Sequence, residues 1–340
     1  MKAITYTQTG DASVLTLRDR QPAEPGTGEV LVQVIISGVN PTDWKRRAGA
    51  SGQTLDFSEV VPNQDGAGVV EAVGPGVHDL AVGDRVWVYL AQAGRPTGTA
   101  QEYVALPASR VVPLPDGASF EVGASLGVPA MTAHRALTVS EDWPDRLYPG
   151  ALTGATVLVA GGAGAVGHAA IQLARWAGAT VITTVSGPEK AALATAAGAH
   201  HVVNYKTDDA AAAITAIAPG GVDMVVEVSP AQNAALNAAV VSPRASIAVY
   251  ANDGGDEVLL DLIPQMMVNA RYQFILLYTV GEQALANGRD DVSAAAGDGA
   301  LAVGESAGLP LHRFPLADTA AAHDAVEGGA VGKVLVDVRG

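Results

Sequence analysis

The sequence contains no cysteine, and this is the most informative of its absences. Without thiols the chain cannot form disulfides, a thiolate nucleophile or any metal site with cysteine ligands. Basic residues are also scarce, because 20 of them stand against 35 acidic residues and give a formal charge of -15. A phosphate backbone needs a basic surface, so we expect no nucleic-acid partner.

Long hydrophobic runs are missing as well. The longest, such as "VLVQVII", are far shorter than the ~18 residues that a membrane span needs. The first residues, "MKAITYTQTGD", lack the basic and apolar regions of a signal peptide. We therefore expect a cytoplasmic protein that does not enter a membrane. With 340 residues, 49% of them hydrophobic, the chain is long enough for two domains.

Glycine is abundant, with 39 residues, and one glycine-rich stretch reads "VLVAGGAGAVGHAA" over residues 157–170. By itself its G-x-G-x-x-G spacing is weak evidence in a chain so rich in glycine and alanine. Its neighbourhood is more informative, because "TVLVA" is typical of a buried strand and "VGHAAIQLARWAG" has helical spacing. A strand, a glycine turn and a helix in this order indicate a dinucleotide-binding unit.

Further strands follow at intervals of about 20 to 30 residues, with helical patterns between them. They are "ATVITTVS", "HHVVNY", "VDMVVEVS", "RASIAVYA" and "RYQFILLY". Six such strands predict an α/β fold with a doubly wound parallel Rossmann sheet, which binds its ligand at the carboxyl ends of the strands. Residues 1–126 instead alternate short strands with glycine and proline turns, which predicts a β-rich domain.

The glycine stretch is expected to hold a pyrophosphate on backbone N–H groups at the N-terminus of the following helix. The residues concerned are Gly162, Gly164, Ala165, Val166 and Gly167. Ser186 stands where an NAD-binding unit usually has a carboxylate for the ribose, and Lys190 follows four residues later. A hydroxyl and an ammonium suit a 2′-phosphate and favour NADPH, although Lys190 can also be an ordinary exposed lysine.

Several long stretches, in family order, resemble the medium-chain dehydrogenase/reductase superfamily, in its zinc-independent NADPH:quinone oxidoreductase (zeta-crystallin-like) branch. They include "SGVNPTDWKRRAG", "VPNQDGAGVVEAVGPGVHDLAVGDRVW", "GAGAVGHAAIQLARWAGATVI", "GAHHVVNY" and "GKVLVDV". The resemblance implies a GroES-like catalytic domain of residues 1–126, completed by residues 286–340. It also implies a Rossmann NADP-binding domain of residues 127–285 and a homodimer that pairs the last Rossmann strand.

Zinc-dependent relatives carry a cysteine and a His-Glu pair where this chain has Asn40, Gln64 and Asp65. Neutral amide oxygens are poor zinc ligands, so we predict no metal. His200 and His201 are consecutive and point to opposite faces of a strand, which favours a packing or surface role.

The resemblance implies that the nicotinamide lies near Asn40 and Thr42, with Thr132 at its carboxamide. Asn40 and Thr42 are the candidate catalytic residues, and Thr42 can relay a proton. The alternative is that Thr42 and Asp43 only form a turn after Pro41. The further cofactor candidates are Tyr205, Tyr250 and Leu277, and the candidates for the substrate pocket are Trp44, Lys45, Met131, Tyr250 and Tyr278.

These residues predict hydride transfer from NADPH to a quinone, because a quinol needs only oxygen protonation and the sequence offers no strongly acidic candidate beside Asn40 and Thr42. One alternative is reduction of an activated C=C bond in an enone, alkenal or enoyl thioester, for which the cluster of Lys45, Arg46 and Arg47 offers a basic entrance. Another is a non-enzymatic, crystallin-like protein that binds NADPH. Residues 288–306 carry no feature that assigns a role.

Overall fold

The computed structural model describes residues 1–52 and 54–339 and divides the chain into two compact units. The first unit comprises Met1–Val128 and Leu311–Gly340, and the second comprises Pro129–Pro310.

The strands are β1 (Lys2–Thr5), β2 (Thr16–Asp19), β3 (Glu29–Val39), β4 (Asp65–Val73), β5 (Arg85–Val88), β6 (Tyr103–Pro107), β7 (Val111–Pro113), β8 (Thr156–Ala160), β9 (Thr180–Val185), β10 (His201–Asn204), β11 (Val222–Glu227), β12 (Val241–Val249), β13 (Arg271–Phe274), β14 (Leu311–Pro315) and β15 (Lys333–Asp337). The helices are α1 (Pro41–Ala48), α2 (Phe120–Ser125), α3 (Met131–Leu137), α4 (Ala165–Trp176), α5 (Pro188–Ala196), α6 (Ala210–Ile217), α7 (Pro230–Val240), α8 (Leu262–Met267), α9 (Glu282–Gly297) and α10 (Thr319–Glu327). Within the described ranges, none of these helices has the length and apolar character of a membrane span.

The first unit is built on a seven-stranded, mostly antiparallel sheet in the order β14-β15-β3-β4-β5-β7, with β6 paired to β3. Apolar residues of β3, including Val30, Val32 and Val34, are fully buried in its core. This architecture confirms the predicted β-rich domain. Helix α1 follows β3, so Thr42 and Asp43 lie in a first helical turn.

The register of β15 brings the end of the chain to the start of α1. Strand β15 pairs antiparallel with β3, and Val334 lies opposite Val39. Because Asn40 directly follows β3, Lys333 at the beginning of β15 lies next to it. The two residues meet although 293 positions separate them in the sequence.

The second unit contains a six-stranded parallel sheet in the order β10-β9-β8-β11-β12-β13. Counted along the chain this is the order 3-2-1-4-5-6 of a Rossmann fold, whose switch point lies between the first and fourth strands. The doubly wound sheet is therefore confirmed. The last strand is shorter than predicted, because the chain forms a 3-10 helix at Leu277–Thr279 instead of extending to Tyr278.

Residues 286–310 belong with the second unit, whereas the sequence analysis assigned them to the first. The reason is α9, which packs against α3 and α4. Its buried face includes Asn287, Asp291 and Val292. Much of the stretch 288–306, which had no assigned role, is thus a helix that supports α3.

Candidate active site

Three glycines of the glycine-rich stretch have different surroundings: Gly162 and Gly164 lie in the turn between β8 and α4, and Gly167 lies within α4. A Cβ on Gly162 would overlap the side chain of Thr183, and one on Gly167 would overlap the backbone of Gly161. These two glycines allow the turn to pack closely against its neighbours. Gly164, the N-cap of α4, is exposed, and a Cβ there would meet its nearest neighbour at 3.5 Å. A Cβ on Gly164 would therefore overlap no protein atom.

The first turn of α4 contains Ala165 and Val166, both half-buried. Backbone N–H groups in a first helical turn have no acceptor within the helix, and the helix dipole adds positive charge there. This helix end therefore fits the pyrophosphate of a dinucleotide.

Ser186 and Tyr205 follow the carboxyl ends of the neighbouring strands β9 and β10. They lie on adjacent segments, since the N–H of Tyr205 donates to the carbonyl of Val185 at 3.1 Å. Lys190, in the first turn of α5, makes no hydrogen bond or ion pair within the described part of the chain. Lys206, which the sequence analysis did not select, holds its Nζ 5.4 Å from the ring centroid of Tyr205. Two ammonium groups and a hydroxyl at this edge fit a 2′-phosphate.

The residues expected at the nicotinamide lie on α3 and after β12 and β13. Thr132 is buried in the first turn of α3. Helix α3 contacts β12, which Tyr250 follows directly, and the 3-10 helix that contains Leu277 and Tyr278. Burial raises the pKa of the Tyr250 hydroxyl. The fold of the second unit therefore brings the segments that carry these four residues against α3.

Met131 also lies on α3, but its side chain is fully buried. A Cβ on Gly288 of α9 would lie 3.1 Å from the Met131 methyl group. This contact favours a packing role for Met131 rather than the predicted place in the substrate pocket.

In the first unit, Asn40 has both ends of its side-chain amide bonded to buried charged groups. Its Nδ2 donates to Asp65 Oδ2 at 2.6 Å, and its Oδ1 accepts from Lys333 Nζ at 2.6 Å. Asp65 also accepts from the N–H of Val128 at 2.8 Å. The side chains of Asn40, Asp65 and Lys333 are each at most 2% exposed. We call these three residues the amide cluster.

Asp43 lies against the amide cluster from the first turn of α1. Its carboxylate accepts the N–H of Asn40 at 2.7 Å, which caps the start of the helix. Burial raises the pKa of Asp43, and the negative charge of Asp65 raises it further. Burial also raises the pKa of Asp65 to about 6, although Lys333 and Asn40 act in the opposite direction. Two buried carboxyl groups with raised pKa values thus lie beside Asn40.

The sequence analysis found no strongly acidic candidate beside Asn40 and Thr42, whereas the structure places the carboxyl groups of Asp43 and Asp65 against Asn40. Asp65 was considered only as a substitute for a metal ligand, and Lys333 was quoted within "GKVLVDV" without a role. Only the pairing of β15 with β3 brings Lys333 to Asn40, and one sequence does not reveal that register. Thr42 is half-buried in the same helical turn.

The donor groups at this place do not fit a zinc ion. The amide of Gln64 is committed to Gln92, with hydrogen bonds of 3.3 Å and 3.1 Å. Asp65 already accepts from Asn40 and Val128. In the described ranges, no group of three His, Asp or Glu side chains is arranged to hold a metal. Tetrahedral zinc sites need such a set of anionic or imidazole donors.

The basic residues of α1 do not form the entrance considered from the sequence. Arg47 is fully buried and donates to Glu327 at 2.6 Å, and Arg46 pairs with Asp56 at 2.7 Å. Lys45 holds its Nζ 6.0 Å from the ring centroid of Trp44. Trp44 and Lys45 thus remain as candidates for the substrate pocket, where they offer a flat apolar ring with one positive charge beside it.

Comparison with known protein families matches both units of the chain. Residues 26–116 match the alcohol dehydrogenase GroES-like domain, and residues 165–290 match the zinc-binding dehydrogenase family.

Three proteins represent the similar relatives. The chain is 33% identical to the quinone oxidoreductase of Rattus norvegicus over 262 residues, which cover 76% of this chain and 75% of that protein. It is 34% identical to the 2-haloacrylate reductase of a Burkholderia species, with 68% of this chain and 67% of that protein covered. Among solved structures, a mycobacterial protein complexed with NADPH matches with a TM-score of 0.80, 31% identity and 99% of each chain covered.

Proposed function

Because the chain belongs to the medium-chain dehydrogenase/reductase superfamily, in the branch of the quinone oxidoreductases, we propose that it reduces quinones with NADPH and without zinc. The observation that carries this proposal is the amide cluster. Where zinc-dependent relatives hold their metal, this chain has a buried carboxamide bonded to Asp65 and Lys333. An amide N–H can stabilise a developing negative charge on oxygen, which is what a quinone acceptor needs.

The proposed NADPH site uses the second unit. The open side of Gly164 and the first turn of α4 receive the pyrophosphate, while Lys190 and Lys206 neutralise the 2′-phosphate beside Ser186. When bound, NADPH supplies the hydride. The chain contributes orientation, with Thr132, Tyr250 and Leu277 as contacts of the nicotinamide end.

The proposed acceptor contacts belong to the first unit. The Asn40 amide donates to the quinone oxygen that gains charge, and the Thr42 hydroxyl passes a proton to it. The Trp44 ring packs against the flat quinone. A direct test is NADPH consumption with ortho-naphthoquinone or phenanthrenequinone. Binding of NADPH without turnover of any quinone or enone would favour a non-enzymatic, crystallin-like role.

A second candidate is reduction of an activated C=C bond, in an enone, alkenal or enoyl thioester. The similarity to a 2-haloacrylate reductase supports it. The two candidates share the hydride transfer and differ in the acceptor.

We also propose that the protein is a homodimer in which β13 pairs with its symmetry mate. Strand β13 is at the edge of the sheet, and Phe274 and Leu276 are 66% and 58% exposed. Nearby on α8, Met266 and Met267 are 69% and 79% exposed. Unpaired edges with apolar side chains are covered in stable proteins. A monomeric mass in light scattering would refute the dimer. The cytoplasmic location stays a prediction.

A further inference from the structure

We propose that Lys333 and Asp65 are positioning residues for the reductase reaction, which fix the Asn40 amide so that one of its N–H groups is presented to the acceptor oxygen. This inference rests on the proposed function. It adds two residues, one from each of the two chain segments that form the first unit, to the groups that govern the chemistry.

The two charged partners determine which way the amide faces. An ammonium group can only donate, and an ionised carboxylate can only accept. A flipped amide would set Nδ2 against Lys333 and Oδ1 against Asp65, and both contacts would be repulsive. Charge-assisted bonds of 2.6 Å on both sides therefore hold Asn40 in one orientation.

The backbone of the first unit leaves room for both charged side chains. A Cβ on Gly38 would lie 3.2 Å from Lys333 Nζ, a contact tighter than normal packing. A Cβ on Gly127 would overlap the carboxylate of Asp65. A larger side chain at Gly127 would therefore displace Asp65, and one at Gly38 would overlap the backbone oxygen of Ala124 and crowd Lys333.

Stability does not explain why this cluster is charged. Burying an ammonium and a carboxylate carries a large desolvation penalty, and well-packed apolar residues of similar volume are often as stable. Lys333 Nζ and Asp65 Oδ2 are 3.9 Å apart, so the direct ion pair is loose. Asp65 Oδ1 is buried and has no hydrogen-bond partner in the described part of the chain. Asp65 and Lys333 each make a better contact with Asn40 than with one another.

The side-chain amide of Asn40 has one N–H group that the amide cluster does not use. Nδ2 carries two hydrogens, and only the one given to Asp65 has a partner among the described residues. Lys333 draws electron density toward Oδ1 and so strengthens the second N–H as a donor. A donor already oriented toward developing negative charge stabilises it without reorganisation.

The kinetic test compares Lys333→Met in two backgrounds. In the wild type the substitution is expected to lower kcat for phenanthrenequinone about tenfold, with the Kd for NADPH unchanged. In an Asn40→Ala background, which itself costs about a hundredfold, Lys333→Met should cost nothing further. Lys2→Met, on an exposed side chain, is the matched control and should leave kcat unchanged. Equal losses in both backgrounds would overturn the proposal, because Lys333 would then not act through Asn40.

A second readout does not depend on activity. In the ligand-free protein, the two side-chain N–H signals of Asn40, identified by their loss in Asn40→Ala, should be well separated and slow to exchange with solvent. Lys333→Met should speed that exchange and bring the signals together, as should Lys333→Met combined with Asp65→Asn, which avoids an unpaired buried charge. Unchanged signals would overturn the proposal. If the wild type turns over no acceptor, the proposed function fails, and these signals still decide whether Asn40 is held.

Discussion

The Nε2 of His134 on α3 lies 2.8 Å from Oδ2 of Asp291 on α9, and both side chains are buried. The same carboxylate accepts from Arg146 Nε at 2.7 Å and from the N–H of Leu147 at 2.7 Å. Burial alone would raise the pKa of Asp291, but these hydrogen bonds bring it below its ordinary value. Asp291 therefore joins α9, α3 and the loop after α3 at the helix that carries Thr132.

Asp291→Ala should destabilise the protein by about 3–5 kcal/mol, because it leaves three buried or partly buried donors without their acceptor. The measurement is the free energy of unfolding in urea. Asp290→Ala is the matched control, since Asp290 is exposed and its carboxylate pairs with the neighbouring Arg289. A loss of similar size in both variants would show that Asp291 has no special role.

Two substitutions in the glycine turn should separate folding from cofactor binding. Gly162→Ala should lower the melting temperature, because the new Cβ would overlap Thr183. Gly164→Val should leave the melting temperature nearly unchanged and weaken NADPH and NADH equally, since it fills the open side of the turn. If Gly164→Val binds both cofactors normally, the pyrophosphate does not lie at this turn.

Lys190→Ala should weaken NADPH binding by about 1.5–3 kcal/mol, the range for hydrogen bonds to charged groups, and barely change NADH binding. Calorimetric titration with both cofactors gives the comparison. Lys206→Ala should have the same sign, because its ammonium lies over Tyr205 at the same edge of the sheet. An equal loss for NADPH and NADH would mean that Lys190 supports the structure instead.

The buried His323 should make the first unit sensitive to acid. Burial, and then the charge of Arg47, lower its pKa from 6.5 to about 3. As the pH falls, the His323 imidazole therefore binds a proton in the unfolded chain at a higher pH than in the folded protein. The contribution of His323 to the stability of the fold consequently decreases as the pH drops from 6.5 toward 3. The slope is about 1.4 kcal/mol per pH unit. Urea unfolding of His323→Gln across this interval should give a shallower pH dependence than the wild type, and parallel curves would contradict the assignment.

Local patterns predicted the elements of the second unit well, because "TVLVA", the glycines and the following helix all determine their own conformation. The candidate cofactor residues could be selected from the sequence because phosphate binding uses contiguous turns at strand ends, and they stay predictions. The amide cluster was not predictable, because Lys333 reaches Asn40 only through the pairing of two distant strands. Residues 286–310 were misassigned for a similar reason, since the partner of Asp291 lies 157 positions away in His134.

The most direct test of the account compares kcat/KM for ortho-quinones with that for alkenals and crotonyl thioesters, at saturating NADPH. The account predicts that an ortho-quinone is the preferred acceptor, because the chain offers an amide donor for the quinone oxygen and the flat ring of Trp44. A preference of about tenfold or more for the alkenal or the thioester, which is about 1.4 kcal/mol in the transition state, would contradict it.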